Sequence, residues 1–194
     1  VCLDHFLFPP EMDYPAIARK LCHRQLGAGA DGLIAILPSD KADARMRIFN
    51  PDGSEAEMCG NGIRCFAKYI SDIGYVRKDV TDIETMAGIL TVSLERSEGK
   101  VSSITVDMGE PCLDPAKIPV LAGSDLAVEQ EIQIGDRKFN FTAVSMGNPH
   151  CVIFVKDFPA IEWESLGAVI ENHYLFPKKT NVEFVRVDNG KEIT

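Results

Sequence analysis

The spacing of apolar residues predicts a strand, a turn and a helix in immediate succession in the first half of the chain. Polar and apolar residues alternate over residues 44–49, as in a half-buried strand. Pro51-Asp52-Gly53-Ser54 then has the composition of a turn. Apolar residues recur at helical spacing from Ile63 to Ile73, and Gly74 favours a helix end. We therefore expect a helix that begins beside Cys59.

The other patterns predict mostly strands, with antiparallel pairing after the Cys59 helix. Two further helices are expected, one capped by Asp13 and ending near Leu26, and one over residues 163–170 with its aromatic and aliphatic side chains in the core. Strands are predicted at residues 1–8, 33–37, 83–85, 89–94, 101–108, 131–134, 138–141, 151–155 and 181–187.

A stretch punctuated by prolines interrupts the strands between Gly109 and Pro119. Such composition is typical of a linker between domains. The sequence therefore predicts a boundary near residue 112, with domains at 1–112 and 113–194.

The segment Gly27 to Gly32 matches the G-x-G-x-x-G pattern of dinucleotide-binding proteins. That motif needs a strand before it and a helix after it, whereas here a helix precedes and a strand follows. No Lys-Ser or Lys-Thr completes a phosphate-binding loop either. The segment is better interpreted as a tight connection between helix and strand.

Composition narrows the class of protein. The chain has 194 residues, a net charge of −9 and an isoelectric point near 4.9. This acidity argues against nucleic acid or an anionic membrane surface as a partner. No apolar run approaches the roughly 20 residues of a membrane span, and no secretory leader is recognised, so we expect a cytoplasmic protein.

The cysteines and histidines do not suggest a disulfide framework or a metal site. The six cysteines include no C-x-x-C pair, and the four histidines are scattered along the chain. We therefore expect reduced thiols and no bound metal.

Cys59 has the most reactive position predicted for any of these thiols. A cysteine at a helix N-terminus lies beside free backbone N–H groups and the positive end of the helix dipole, which favour the thiolate. Gly60 and Gly62 leave room for a ligand to approach the backbone. The position alone is also compatible with a small buried apolar residue, so the residues by themselves leave both interpretations open.

Three ordered blocks resemble the diaminopimelate epimerase family. They are Arg47 to Ser54 together with Met58-Cys59-Gly60-Asn61-Gly62-Ile63-Arg64-Cys65, then Ser145-Met146-Gly147-Asn148-Pro149-His150-Cys151-Val152, and then Phe176-Pro177 with Thr180-Asn181-Val182-Glu183-Phe184. The resemblance implies an α+β fold of two similar halves, each a curved mixed β-sheet wrapped round a central helix, with the second half incomplete in this chain.

The resemblance also implies the activity of an isomerase without a cofactor. The expected reaction interconverts LL- and meso-diaminopimelate by proton transfer between two cysteines, in the synthesis of lysine and peptidoglycan precursors. Diaminopimelate would be the small-molecule partner, and a homodimer is one assembly that the resemblance leaves open.

Roles for individual residues follow from the same motifs. Cys59 would be one acid/base, and His150 would support the active site. Backbone N–H groups would bind the substrate carboxylate, and neutral side chains would fix the rest of the molecule. The substrate contacts implied are Asn50, Gly60, Asn61, Asn148 and Asn181.

The second acid/base is not assigned to any residue of this chain. Cys65 lies six residues along the helix, a rise of roughly 9 Å, and cannot reach the opposite face of a substrate at the N-terminus. In the family a second cysteine and a glutamate–arginine pair lie beyond the position of Thr194, and a further substrate-binding asparagine lies before Val1. We therefore expect the 194-residue chain by itself to be inactive.

Other functions remain alternatives at this point. Proline racemases and hydroxyproline epimerases use a similar Met-Cys-Gly motif, but typically have histidine at the position of Asn61. A non-catalytic module that binds amino acids would keep the asparagines without needing an activated thiol. A redox protein is a weak alternative without a resolving cysteine near Cys59.

Overall fold

The computed structural model describes residues 1–8, 11–158 and 162–194. These residues form two compact units, Val1–Met108 and Gly109–Thr194. The predicted boundary near residue 112 lies a few residues after this division. Cys112 and Ser145, which exchange two backbone hydrogen bonds of 2.9 Å, both belong to the second unit.

The first unit consists of a mixed sheet and two helices among its described residues. The helices are α1 (Tyr14–Leu21) and α2 (Gly60–Asp72). The strands are β1 (Cys2–Asp4), β2 (Leu33–Leu37), β3 (Ala44–Phe49), β4 (Glu55–Ala56), β5 (Val80–Thr85), β6 (Gly88–Ser97) and β7 (Lys100–Val106). The strand order is β1-β2-β3-β5-β6-β7, with β4 paired to β3. β1–β2 and β3–β5 are parallel and the other pairs are antiparallel.

Helix α2 packs on one face of this sheet and α1 contributes to a second core. The fully buried face of α2 includes Ile63, Phe66 and Ile70, which join a cluster with residues of β2, β3, β5, β6 and β7. In β2, Ile36 belongs to this cluster, whereas Leu33 belongs to the cluster that includes residues of α1. Alternate residues of a strand point to opposite faces, which lets one strand serve both cores.

The end of α2 agrees with the prediction from the sequence, whereas the end of α1 does not. Gly74 follows α2 with φ +85°, a left-handed conformation that glycine adopts without strain. Helix α1 was predicted to end near Leu26 but ends at Leu21. The chain then folds back so closely that a Cβ atom on Gly27 would lie 2.2 Å from the Lys20 carbonyl oxygen. The glycine-rich segment is thus a helix-to-strand connection, as predicted.

The first strand is also shorter than the predicted residues 1–8. β1 includes only Cys2–Asp4, where it pairs with β2. Asp4 then accepts hydrogen bonds from the hydroxyls of Tyr69 and Tyr75 at 2.9 and 2.8 Å. Partial burial opposes the ionised form, but hydrogen bonds from Phe6 N–H and these two hydroxyls lower the pKa of Asp4 overall.

The second unit is a smaller sheet with one helix among its described residues. Its elements are β8 (Gln130–Ile134), β9 (Arg137–Ser145), β10 (Pro149–Phe154), α3 (Trp163–Glu171), β11 (Asn181–Val185), β12 (Val187–Asn189) and β13 (Glu192–Ile193). The four-stranded sheet has the order β11-β10-β9-β8, with β10 and β11 parallel. β8 and β9 form the predicted hairpin round Gly135, whose φ is +59°.

Helix α3 occupies the predicted position but buries less of its surface than expected. Leu166 and Ile170, one turn apart, join the core of this unit, which includes Phe141. Trp163 and Val169 are 53% and 50% exposed, so the prediction that the aromatic side chain lies in the core was wrong. A short helix that contacts its unit through one stripe of residues leaves the others in solvent.

Candidate active site

The turn after β3 places Cys59 at the start of α2. Asn50 donates its backbone N–H to the Ser54 carbonyl at 2.8 Å, and Gly53 donates to the Asn50 carbonyl at 2.9 Å. Gly53 has φ +85°, which permits this tight reversal. β4 returns along β3, and Cys59 then caps the helix with extended backbone angles. The predicted helix beside Cys59 is therefore present.

The Cys59 thiol lies at the open end of the helix. Its Sγ is the acceptor for the Gly62 backbone N–H at 3.3 Å, and the residue is exposed. The sulfur thus lies beside a backbone donor and the positive end of the helix dipole. The N–H groups of Gly60 and Asn61 find no acceptor in the described part of the chain. They can therefore hold an anionic group beside the sulfur.

Gly62 leaves the space that the sulfur occupies. A Cβ atom added at Gly62 would lie 3.3 Å from Cys59 Sγ and 3.1 Å from Ile48 Cδ1. Both contacts are tighter than ordinary van der Waals packing. A larger residue at this position would crowd both the thiol and Ile48.

The side-chain amides of Asn50 and Asn61 each make a hydrogen bond within the first unit. Asn50 Nδ2 donates to Ser54 Oγ at 3.0 Å, and Asn61 Oδ1 accepts a hydrogen bond from the Arg64 guanidinium. Both asparagines are exposed. Within residues 1–8, 11–158 and 162–194, the Asn50 side-chain oxygen and the Asn61 side-chain nitrogen have no hydrogen-bond partner.

An ion pair between Arg47 and Glu55 lies next to this turn and was not predicted from the sequence. Arg47 donates two hydrogen bonds to the Glu55 carboxylate, at 2.7 and 2.8 Å, and its guanidinium lies 4.9 Å from the centre of the Phe49 ring. The bond to Glu55 and its charge raise the pKa of Arg47. This bidentate pair joins β3 to β4 next to the Asn50 turn. Arg47 lies within the first of the three blocks that resemble the family, but no local sequence pattern identified Glu55 as its partner.

The second unit brings together three of the predicted site residues. His150 Nε2 lies 3.0 Å from Asn148 Oδ1. Asn181 is the partner of His150 in the parallel pairing of β10 and β11, and its Nδ2 donates to the Pro149 carbonyl at 3.0 Å. Asn148 and His150 are half-buried, whereas Asn181 is exposed. The three side chains are thus grouped at the start of two adjacent strands.

Glu183 completes this group and was not predicted. Its Oε1 lies 2.7 Å from His150 Nδ1. Glu183 and Asn181 are two residues apart on β11, so their side chains point to the same face of the sheet. That alternation is the signal by which the sequence could have identified Glu183.

Cys151 differs strongly from Cys59. It is fully buried in β10. Burial, together with the nearby charge of Glu183, raises the pKa of the Cys151 thiol to about 12. This sulfur is therefore protonated across the physiological range of pH.

Metal binding and membrane spans were also considered for the described residues. No group of three or more histidine, cysteine, aspartate or glutamate side chains in residues 1–8, 11–158 and 162–194 could hold a metal ion. Among the helices in these same ranges, none is long and apolar enough to cross a membrane.

Comparison with known families gives a match along most of the chain. The family model for diaminopimelate epimerase matches residues 6–113 and 142–194. A diaminopimelate epimerase of Desulfitobacterium hafniense is 57% identical over 196 aligned residues, covering 100% of this chain and 69% of the relative. One of Pelotomaculum thermopropionicum is 50% identical, covering 93% of this chain and 65% of the relative. The chain thus spans about two thirds of the length of these relatives.

Solved structures share the fold at low sequence identity. A probable proline racemase of Agrobacterium radiobacter has a TM-score of 0.70 at 16% identity, covering 92% of this chain and 56% of the other. A hydroxyproline epimerase of Agrobacterium vitis has a TM-score of 0.65 at 16% identity, covering 90% and 55%. At this identity the likeness concerns the fold alone. The sequence and structure matches together confirm the resemblance and the α+β fold predicted from the sequence.

Proposed function

The chain belongs to the diaminopimelate epimerase family, and we propose that the protein interconverts LL- and meso-diaminopimelate by proton transfer between two thiols without a cofactor. This places it among the isomerases. Synthesis of lysine and peptidoglycan precursors is the corresponding role in the cell. A cytoplasmic location and a homodimer stay predictions.

The observation that carries this proposal is the position of Cys59. A general base must remove the α-proton of an amino acid, and the resulting negative charge spreads into the carboxylate. Cys59 Sγ lies at the end of α2 with a backbone N–H donor at 3.3 Å. The backbone N–H groups of Gly60 and Asn61 would bind the substrate carboxylate beside the sulfur. One helix end thereby supplies both the base and the stabilising donors.

Asparagine side chains would fix the remainder of the substrate. Asn50, Asn148 and Asn181 are neutral, so they would orient charged groups without altering the charge of the site. His150 would support Asn148, which it contacts. Family membership favours diaminopimelate over proline, since the proline racemase likeness extends only to the fold.

Inversion also needs a second acid/base on the opposite face of the substrate. Cys151 does not meet this need, because a buried thiol with a pKa of about 12 is too weak an acid near neutral pH. Cys65 is on the same helix as Cys59 and too far along it. The second thiol of the proposed mechanism is therefore neither Cys151 nor Cys65.

The test is α-proton exchange in deuterated water with LL- and meso-diaminopimelate as separate substrates. With both thiols of the proposed mechanism present, the full-length protein should incorporate deuterium at the inverted carbon, whereas residues 1–194 alone should show no more than a trace of exchange. Cys59→Ser should lower kcat about 10³-fold, because it removes a general acid/base. Cys65→Ser is the matched control and should retain the wild-type rate.

Two results would contradict the proposal. A wild-type rate in Cys59→Ser would remove Cys59 from the mechanism. Binding of diaminopimelate by the full-length protein, with both thiols present, without any exchange would instead indicate a non-catalytic module. Proline tested in parallel should show no exchange above background.

A further inference from the structure

Arg47 closes the base of the turn that carries Asn50. Its guanidinium donates from Nε to Glu55 Oε1 at 2.7 Å and from Nη2 to Glu55 Oε2 at 2.8 Å. Glu55 is the cross-strand partner of Phe49, the residue before Asn50. The Arg47 and Glu55 side chains are 28% and 23% exposed, so water screens this ion pair less than a pair on the open surface. The pair therefore joins β3 to β4 directly at the base of the turn.

Backbone pairing contributes little at this base. β4 consists of two residues, and its pairs with β3 are Ile48–Ala56 and Phe49–Glu55. This ladder is short beside the β2–β3 and β5–β6 pairings of the same sheet. A bidentate, charge-assisted pair adds a directional link between the two strands. The Arg47 side chain thus supplies a constraint that the backbone does not.

Two aromatic rings fix the position of the guanidinium. Arg47 Cζ lies 4.9 Å from the centre of the Phe49 ring and 5.4 Å from the centre of the Tyr14 ring. The two rings are nearly parallel, with centres 5.5 Å apart and an angle of 14° between their planes, and both residues are buried. Cation–π contacts of this kind favour one placement of the charged group. Arg47 therefore links β3 to β4 and, through Tyr14, to helix α1.

The same end of β3 lies next to the Cys59 sulfur. A Cβ atom added at Gly62 would be 3.1 Å from Ile48 Cδ1 and 3.3 Å from Cys59 Sγ, so both groups border the same small space. Ile48 directly follows Arg47, and Asn50 comes two residues later. A change in the path of β3 at its turn would therefore move Asn50 relative to the thiol.

We propose that Arg47 is a positioning residue for the epimerase reaction and that it acts by fixing Asn50 relative to the Cys59 thiol. This inference rests on the proposed function, in which Asn50 binds the substrate and Cys59 transfers the proton. A misplacement of about 1 Å at a distance from the reacting atoms is enough to lower a rate substantially. Loss of the Arg47–Glu55 pair should therefore slow the reaction even where the protein stays folded.

The test is a double-mutant cycle on the full-length protein, with kcat/KM for epimerisation of diaminopimelate as the readout. Arg47→Met removes the guanidinium at similar side-chain length and should lower kcat/KM about tenfold. In the Asn50→Ala background the same change should cost less than about twofold, because the residue through which Arg47 acts is already absent. A loss of folded protein would instead lower kcat/KM by the same factor in both backgrounds. Equal losses in the two backgrounds overturn the inference.

Two further variants separate position from stability. Arg47→Lys keeps the positive charge without the bidentate geometry, so it should restore part of the rate, with a loss of about threefold. Arg47→Met combined with Glu55→Met replaces the whole pair by apolar side chains, a change that is often neutral for stability. This double variant should keep the urea midpoint of the wild type and still lose about tenfold in kcat/KM. Recovery of the wild-type rate would show that the pair serves stability alone and would overturn the inference.

Arg96→Met is the matched control in the same unit. The Arg96 side chain is 29% exposed, close to the value for Arg47, and likewise donates to a carboxylate, that of Asp79, at 2.9 Å. Its other contact is Ser71, roughly 18 Å of helix rise from Cys59. kcat/KM should stay within about twofold of the wild type, because sites this far apart rarely couple. A loss equal to that of Arg47→Met would overturn the specific role of Arg47.

The wild-type and Cys59→Ser proteins separate this inference from the function on which it rests. If the full-length wild type does not epimerise diaminopimelate, or if Cys59→Ser is as active as the wild type, the proposed function fails and the inference fails with it. If both proteins behave as expected and the losses in the cycle are equal, only the inference fails. Circular dichroism of each variant shows that the comparison is made between folded proteins.

Discussion

The regions round Cys59 and Cys151 contain the same side chain in opposite surroundings. Cys59 is exposed at the first turn of α2 and accepts a backbone hydrogen bond. Cys151 is fully buried in a strand between two neighbours, with Glu183 nearby. Burial opposes ionisation of Cys151, whereas Cys59 lies in solvent beside a backbone donor. The comparison shows that the position of a cysteine within its element decides the surroundings of its thiol.

The four predicted site asparagines allow a second comparison, between the hydrogen bonds that hold them in the two units. Asn50 and Asn181 are both held through nitrogen, whereas Asn61 and Asn148 are both held through oxygen. Of these four amides, each unit thus has one oxygen and one nitrogen with no hydrogen-bond partner among the described residues. The holding groups differ, since Asn61 contacts an exposed arginine of its own helix and Asn148 contacts a half-buried histidine.

The largest expected difference concerns alkylation. At pH 7.5 a thiol with a pKa of about 12 is ionised to roughly one part in 30,000, and Cys151 is also fully buried. Cys59 is exposed, so it should react with limiting iodoacetamide at least about 10³-fold faster than Cys151 in the native protein. Peptide mapping by mass spectrometry measures both sites. Equal labelling under native conditions would break the comparison, and equal labelling in denaturant is the control.

A smaller effect is expected when the space beside the Cys59 sulfur is filled. Gly62→Ala places a methyl group 3.3 Å from Sγ, so the thiol must move. We expect kcat/KM for epimerisation to fall about tenfold, because small displacements of a reacting group are costly. Stability should change little, since alanine also favours the helix by about 1 kcal/mol.

Gly167→Ala in α3 is the matched control for this change. Its Cβ would lie 3.9 Å from the Phe184 ring, an ordinary contact. It should leave kcat/KM unchanged. An unchanged rate in Gly62→Ala would mean that the exact position of the sulfur is unimportant.

The smallest effect is a dependence of stability on pH that originates at Cys151. The pKa of the Cys151 thiol is raised in the folded protein above the ordinary thiol value of 9.0. As the pH rises above 9.0, the unfolded chain therefore loses the Cys151 proton before the folded protein does. The stability that the neutral thiol contributes is complete below pH 9 and is lost towards pH 12. Cys151→Ala lacks this contribution. The stability difference between wild type and variant should therefore narrow by about 0.8 kcal/mol between pH 8 and pH 9.5.

Urea unfolding at several pH values measures this difference. Cys65→Ala, at an exposed site on α2, should show no comparable narrowing. A difference that stays constant with pH would show that Cys151 ionises as readily in the folded protein as in the unfolded chain, and a difference that widens would have the wrong sign.

Local patterns in the sequence determined the elements round Cys59 and the family of the protein. The alternation over residues 44–49, the turn after it and the helical spacing up to Gly74 all correspond to observed elements. These features depend on interactions between residues close in sequence, which period and turn chemistry report directly. The order of the motifs likewise identified the family.

Only the tertiary structure decided how the site side chains are held. Glu183 lies 33 residues from His150, and their contact exists because β10 and β11 pair in parallel. The direction of each asparagine amide, the burial of Cys151 and the exposure of Trp163 depend on the same kind of long-range packing. Periodicity predicts which face of an element is apolar, but not which partner another segment brings to it. For that reason the sequence indicated candidate residues for the site, and the fold determined which hydrogen-bonding groups these residues present.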